Sequence, residues 1–149
     1  MNLTHQAIEH AVQNLIEFFE LLDPDNLKNL ANIYSQEAKF KDPFNDVLGV
    51  KGIESIFTHM FETLDSPRFI VTERIVQDRQ CFLVWEFRFR FKRFDTESMQ
   101  TIHGGSHLKF NADGKVTLHR DYWDAAEELY EKLPMVRVLM RWLKRRASS

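Results

Sequence analysis

Two periods divide the chain. From Thr4 to Leu22 the apolar positions Ile8, Ala11, Val12, Leu15, Phe18, Phe19 and Leu22 recur at helical spacing. Thr4 is placed to cap that helix, and Asp23-Pro24-Asp25 ends it. A second, shorter helical pattern starts at Asn26 and carries Leu27, Leu30, Ala31, Ile33 and Tyr34. A third lies between Gly49 and Leu64, with Ile53, Ile56, Phe57, Met60, Phe61 and Leu64 on one face. Between the last two, Ala38 to Asp42 reads as a short strand, stopped by Asp42-Pro43, with Phe44-Asn45-Asp46 as a loop.

After Pro67 the period becomes two. Phe69 to Val76 is one strand, and Phe82 to Phe94 is a long second one. In the second, Leu83, Trp85, Phe87, Phe89 and Phe91 share a face, while Glu86, Arg88, Arg90 and Lys92 share the other. Met99 to Phe110 returns antiparallel, with a bulge expected at Gly104-Gly105. Asn111-Ala112-Asp113-Gly114 makes a hairpin turn into a last strand, Val116 to Trp123. Asp124, with Glu127 three residues on, then starts a terminal helix. Helices first and antiparallel strands after define an α+β fold, a curved sheet wrapped around the N-terminal helices with an added C-terminal helix.

Composition narrows the classes. The 149 residues suit one domain spanning 1-149, with 124-149 as a helical extension. A net charge of −2 gives no field to recruit nucleic acid. One cysteine, Cys81, forms no internal disulfide and suits a reducing compartment; with no basic N-terminal leader, a cytoplasmic location is expected. Thirteen phenylalanines suggest an aromatic-walled core or cavity. Neither a clustered zinc-ligand set nor a phosphate or dinucleotide loop is present, so no metal and no cofactor are expected.

Three motifs, taken in order, bring a family into view: Tyr34-Ser35-Gln36-Glu37-Ala38 leading to Lys41-Asp42-Pro43, then Gly49 with Gly52-Ile53, then Phe110-Asn111-Ala112-Asp113-Gly114-Lys115-Val116. In that order and spacing the chain, from Thr4 to about Trp123, resembles the nuclear transport factor two-like superfamily, which includes the ketosteroid isomerases and SnoaL-like polyketide cyclases. The resemblance implies a cone-shaped sheet with a pocket at its wide end. It places Asp42 at the isomerase general base. It also places Phe18 and Ser106 where the isomerases carry two strong oxyanion donors, so both donors are missing here. One lost donor of that kind costs about 10² to 10³ in rate.

Strand parity supplies other polar groups. If Trp123 faces the cavity, so do Asp121 and His119, and Arg120 and Tyr122 face out. The catalytic set expected is therefore Asp42, His119 and Asp121, sharing one cavity. The ligand pocket expected is Phe18, Tyr34, Trp85, Phe87, Phe89, His103, Ser106 and Trp123. Structural alternatives stay open beside this. Asp42 can cap its own turn. Asp121 can pair with a nearby cation. His103 faces Ser106 only if the glycine pair bulges.

Two functions follow. One is a SnoaL-like isomerase or cyclase with an apolar pocket, acting by proton transfer on a small hydrophobic or lipid-like molecule. The other is a non-catalytic module binding a small apolar ligand or a protein. The outer charged face suits a homodimer. The C-terminal stretch from Met135, with Val138, Leu139 and Trp142 on one side and Arg137, Arg141, Lys144, Arg145 and Arg146 around them, reads either as a helix packed on the body or on a partner subunit, or as one making weak contact with a membrane surface.

Overall fold

A computed structural model describes residues 4–93, 95–128, 142–143 and 145–147. Helix α1 spans His5–Glu20 and is capped by the Thr4 hydroxyl, which accepts from the Ala7 N–H at 3.1 Å. A 3₁₀ turn, Asn26–Asn29, leads into the single-turn α2, Leu30–Ile33. Strand β1 is Tyr34–Lys41 and β2 is Asp46–Leu48. Helix α3, Val50–Thr63, precedes β3, Leu64–Gln77. The remaining strands are β4, Gln80–Phe91, β5, Gln100–Phe110, and β6, Val116–Tyr122. A short α4, Ala125–Glu128, follows, and Asp124 Oδ1 accepts from the N–H groups of Ala126 and Glu127 at its start. The expected helix from Met135 onward falls largely outside the described residues.

The six strands form one curved, unclosed sheet in the order β2-β1-β6-β5-β4-β3. Every neighbouring pair is antiparallel except β1 with β6, which is parallel. The sheet is therefore mixed, not wholly antiparallel as the sequence pattern suggested. Local alternation cannot report that pairing, because its two strands stand about eighty residues apart. Strand β2 replaces part of the expected loop at Phe44-Asn45-Asp46.

The concave face meets the helices. Ile8, Val12, Leu15, Ile16 and Phe19 of α1 and Ile53 and Phe57 of α3 are buried with Leu83, Trp85 and Phe89 of β4 and Ile102, Leu108 and Phe110 of β5. Burying such side chains stabilises by roughly 1.5–3 kcal/mol each. Two polar ties hold α1 in place. Glu20 accepts from the Val71 backbone N–H at 3.1 Å, at a bulge in β3, and Arg74 donates to Gln13 at 2.7 Å. These ties set Leu15, Ile16 and Phe19 over the sheet's centre.

The expected bulge at Gly104-Gly105 is absent: β4 and β5 pair without a break from Gln80↔Lys109 to Phe89↔Gln100. The two glycines serve to make room instead. A Cβ on Gly104 would stand 2.6 Å from the Trp85 ring, and one on Gly105 would stand 2.5 Å from Phe82. An unbroken register keeps His103 on the outer face.

Candidate functional site

Four strands deliver polar groups to one point on the concave face. His119 and Asp121 lie two apart on β6 and share a side, as parity requires. Ser106 of β5 pairs directly across from Asp121, and Leu108 pairs across from His119. Trp85 of β4 lies over Gly104, which lets its indole reach Ser106. Tyr34 opens β1. Between Tyr34 and Lys39 that strand advances five residues while β6 advances two, Val116 to Leu118, so β1 bows and its first side chain reaches inward.

The groups form a single hydrogen-bonded chain. Trp85 Nε1–H donates to Ser106 Oγ at 2.8 Å, and Ser106 Oγ–H donates to Asp121 Oδ1 at 2.5 Å. His119 Nε2 lies 2.6 Å from the same Oδ1, and its Nδ1 lies 2.5 Å from the Tyr34 hydroxyl. A carboxylate oxygen accepts, so Nε2 carries the hydrogen and Nδ1 accepts the hydrogen bond that the Tyr34 hydroxyl donates. Direction thus runs from Tyr34 through His119 to Asp121. The Tyr34 and His119 rings are nearly parallel, at 13°, with centroids 5.9 Å apart. Burial, and then the charge of Asp121, push the Tyr34 phenol well above its ordinary value, so it stays a donor.

Burial makes the chain costly to break. Ser106 is 4% exposed and His119 5%, and they are the buried polar residues of the described chain. No buried side-chain N or O atom among the described residues lacks a partner. Asp121 is less enclosed, with its side chain 15% exposed, and its Oδ2 takes no hydrogen bond among the described residues.

Asp121, His119 and Ser106 form the polar end of a cavity of about 30 Å³, whose other walls are Leu15, Ile16, Phe19, Phe57, Phe69, Val71, Leu83, Trp85 and Leu108. Sites for drug-sized ligands are usually about 300–1,000 Å³, so this one suits only a compact molecule.

The remaining expected site residues lie elsewhere. Asp42 does not line the cavity. Its Oδ1 accepts from the N–H groups of Phe44 and Asn45 at 2.8 and 2.7 Å, and the Asn45 amide contacts both its oxygens. That closes the Asp42-Pro43-Phe44-Asn45 turn, the structural alternative. His103 points outward, its side chain 64% exposed, between Glu86 at 3.4 Å and Glu128 at 3.5 Å. Phe18, expected in the pocket, packs edge-on against Phe19, and Phe19 lines the cavity instead. Phe87 and Phe89 belong to an aromatic layer beside the cavity, Phe87 stacked on Phe69 at 4.5 Å. Trp123 closes the strand end against Phe44 at 5.6 Å. Tyr34 is absent from the wall and reaches the site only through His119.

The wall residues that sequence reasoning missed were Leu15, Ile16, Phe19, Phe57, Phe69, Val71, Leu83 and Leu108. Leu15, Phe19, Phe57 and Leu83 lay in apolar patterns, Phe69, Val71 and Leu108 inside expected strands, and Ile16 in no pattern named. Their one signal was helical or strand phase, which does not separate core from cavity wall.

A curved sheet cupping helices, with a small polar-ended cavity on its concave side, defines the nuclear transport factor two-like class of α+β cones. Within that class the chain belongs to the SnoaL-like domain family, whose model matches residues 15–119. None of the curated proteins matches the chain. Solved structures share the fold at low identity. A ketosteroid isomerase-like protein from Catenulispora acidiphila DSM 44928, in complex with trimethylamine, has a TM-score of 0.67 and 12% identity, over 80% of this chain and 88% of its own. An LEH-like epoxide hydrolase of M. tuberculosis has a TM-score of 0.66 and 11% identity, over 92% and 91%. A putative SnoaL-like polyketide cyclase from Shewanella denitrificans OS-217 has a TM-score of 0.65 and 15% identity, over 82% and 96%.

Proposed function

We propose that this SnoaL-like domain is an enzyme that binds a small hydrophobic molecule beside Asp121 and moves a proton on it, in the manner of an isomerase or cyclase. One observation carries the reading: a carboxylate at the end of an apolar cavity, with one oxygen held by Ser106 and His119 and the other without a partner among the described residues. The held oxygen fixes the side chain's aim, and the other oxygen is placed to take a proton. His119 is the positioning group for Asp121, and Tyr34 fixes the hydrogen of His119 on Nε2. Asp42, spent on its turn, takes no part.

The relatives' ligands do not select a substrate, since the named neighbours range from an epoxide hydrolase to a trimethylamine complex. The second reading, a non-catalytic binding module, also has an observation in its favour. Trp85, Ser106, His119 and Tyr34 all donate within the network, so among the described residues the cavity offers no free donor to a developing oxyanion. The mixed-charge outer face, where Glu86 meets Arg88 at 3.1 Å, supports assembly as a homodimer.

The test is turnover of a panel of compact epoxides, unsaturated ketones and hydroxy-ketones by the intact protein and by Asp121→Asn. Turnover of any panel member that falls at least a hundredfold in Asp121→Asn, with the fold intact by circular dichroism, supports the enzyme. Turnover that the substitution leaves unchanged overturns the assignment of Asp121. Absence of turnover, with a molecule released unchanged on denaturing the purified protein, moves the reading to the binding module.

A further inference from the structure

The chemistry of the cavity wall narrows its ligand further. Four aromatic rings surround the space, those of Phe19, Phe57, Phe69 and Trp85. They brace one another, with Phe19 5.6 Å from Phe57 and 6.0 Å from Phe69, and Phe69 5.9 Å from Trp85. Among the described residues, no lysine or arginine lines the cavity. All its side-chain donors are committed: Trp85 to Ser106, and Ser106 and His119 to Asp121 Oδ1. The wall therefore presents a carboxylate acceptor and aromatic π faces, and nothing that donates. A ketone or carboxylate would enter with its oxygens unpaired, at a cost of about 1–3 kcal/mol for each buried polar group. A ligand that brings its own donor and a positive charge matches both features. The volume of about 30 Å³ limits it to a compact head.

We propose that the cavity binds a compact aliphatic ammonium ion, its N–H directed at Asp121 Oδ2 and its alkyl groups against the aromatic rings. This rests on the reading of Asp121 as the ligand-facing carboxylate, and not on turnover. Phe69 contributes through its ring, so the ligand is sensitive to loss of that ring as well as to loss of the charge.

The experiment is isothermal titration of the full chain at neutral pH with methylammonium chloride and, separately, with methanol, a neutral molecule of similar size that the volume of about 30 Å³ also admits. Saturable one-to-one binding of the ammonium, with the alcohol at least tenfold weaker, is expected. Asp121→Asn should weaken the ammonium at least tenfold. Phe69→Leu, which keeps the carboxylate, should weaken it severalfold and serves if Asp121→Asn fails to fold. Equal affinity for the two molecules, ammonium binding unchanged in either folded variant, or no saturable binding would overturn the proposal. If the ammonium fails to bind while Asp121-dependent turnover of a neutral compound is found, the ligand class falls and the enzyme reading stands. If the ammonium binds through Asp121 and the panel shows no turnover, the ligand class stands and catalysis falls.

Discussion

At the scale of single residues, Tyr34 and His119 show how burial assigns roles. The Tyr34 hydroxyl is held by the fold in its protonated form, because burial first and the Asp121 charge second oppose the phenolate. Its folded value lies above the ordinary 10.0. The stabilisation is therefore complete below about pH 10 and is lost as the pH rises above that, toward the folded value. Tyr34→Phe should cost about 1–3 kcal/mol near neutrality, since His119 Nδ1 is left buried and unpaired. It should also flatten the fall in stability above about pH 10. Urea midpoints of the two proteins between pH 7 and 11 check both effects; parallel curves would contradict them. Cys81 offers a second check. Burial, only partly opposed by Arg74, pushes its thiol up to about 12. Iodoacetamide at pH 8 should leave the native thiol unmodified over a time in which the urea-unfolded chain reacts fully. Rapid native alkylation would place Cys81 at the surface.

Elements decide which of these residues meet. Alternation along β4 made Leu83 and Trp85 legible as inward, and parity along β6 placed His119 and Asp121 inside with Arg120 and Tyr122 outside. The structure has Arg120 stacked over the Tyr122 ring at 5.0 Å on the exposed side. Asp42 was not legible, because an aspartate before a proline serves a turn and a proton transfer with the same residue type. Only the partners Phe44 and Asn45 separate the two. His103 was misplaced because glycine pairs signal bulges and close packing alike, and here the rings of Trp85 and Phe82 claim the space. Gly104→Ala tests that reason. Its methyl would collide with a Trp85 ring that is buried and bonded to Ser106, so the ring cannot swing away cheaply. A loss of about 1–3 kcal/mol is expected, with a change in Trp85 fluorescence. A neutral substitution would show that the ring has room to spare. Lys92, read as part of the outer charged face, donates instead to the carbonyls of Phe61 and Glu62 at the end of α3. Contacts that long in sequence leave no local trace.

For the whole molecule, the helical and strand periods were enough for an α+β fold with a curved sheet, and the family resemblance for its cone shape, while neither revealed the parallel β1–β6 pairing or the bow in β1. Those two features bring Tyr34 to His119, so the far end of the relay was invisible from sequence although each residue was named. The proposed homodimer carries a simple expectation: light scattering should return about twice the 17.8 kDa chain mass, and a single-chain mass at high concentration would contradict it. The central claim is narrower, that phenol, imidazole and carboxylate from opposite ends of the chain form one directed hydrogen-bond relay. Long-range ¹⁵N–¹H NMR of the histidine rings measures it directly. The relay predicts that His119 carries its hydrogen on Nε2, with an Nδ1 shift typical of a hydrogen-bonded acceptor that moves in Tyr34→Phe. A hydrogen on Nδ1, or an Nδ1 signal indifferent to the loss of the Tyr34 hydroxyl, would contradict it.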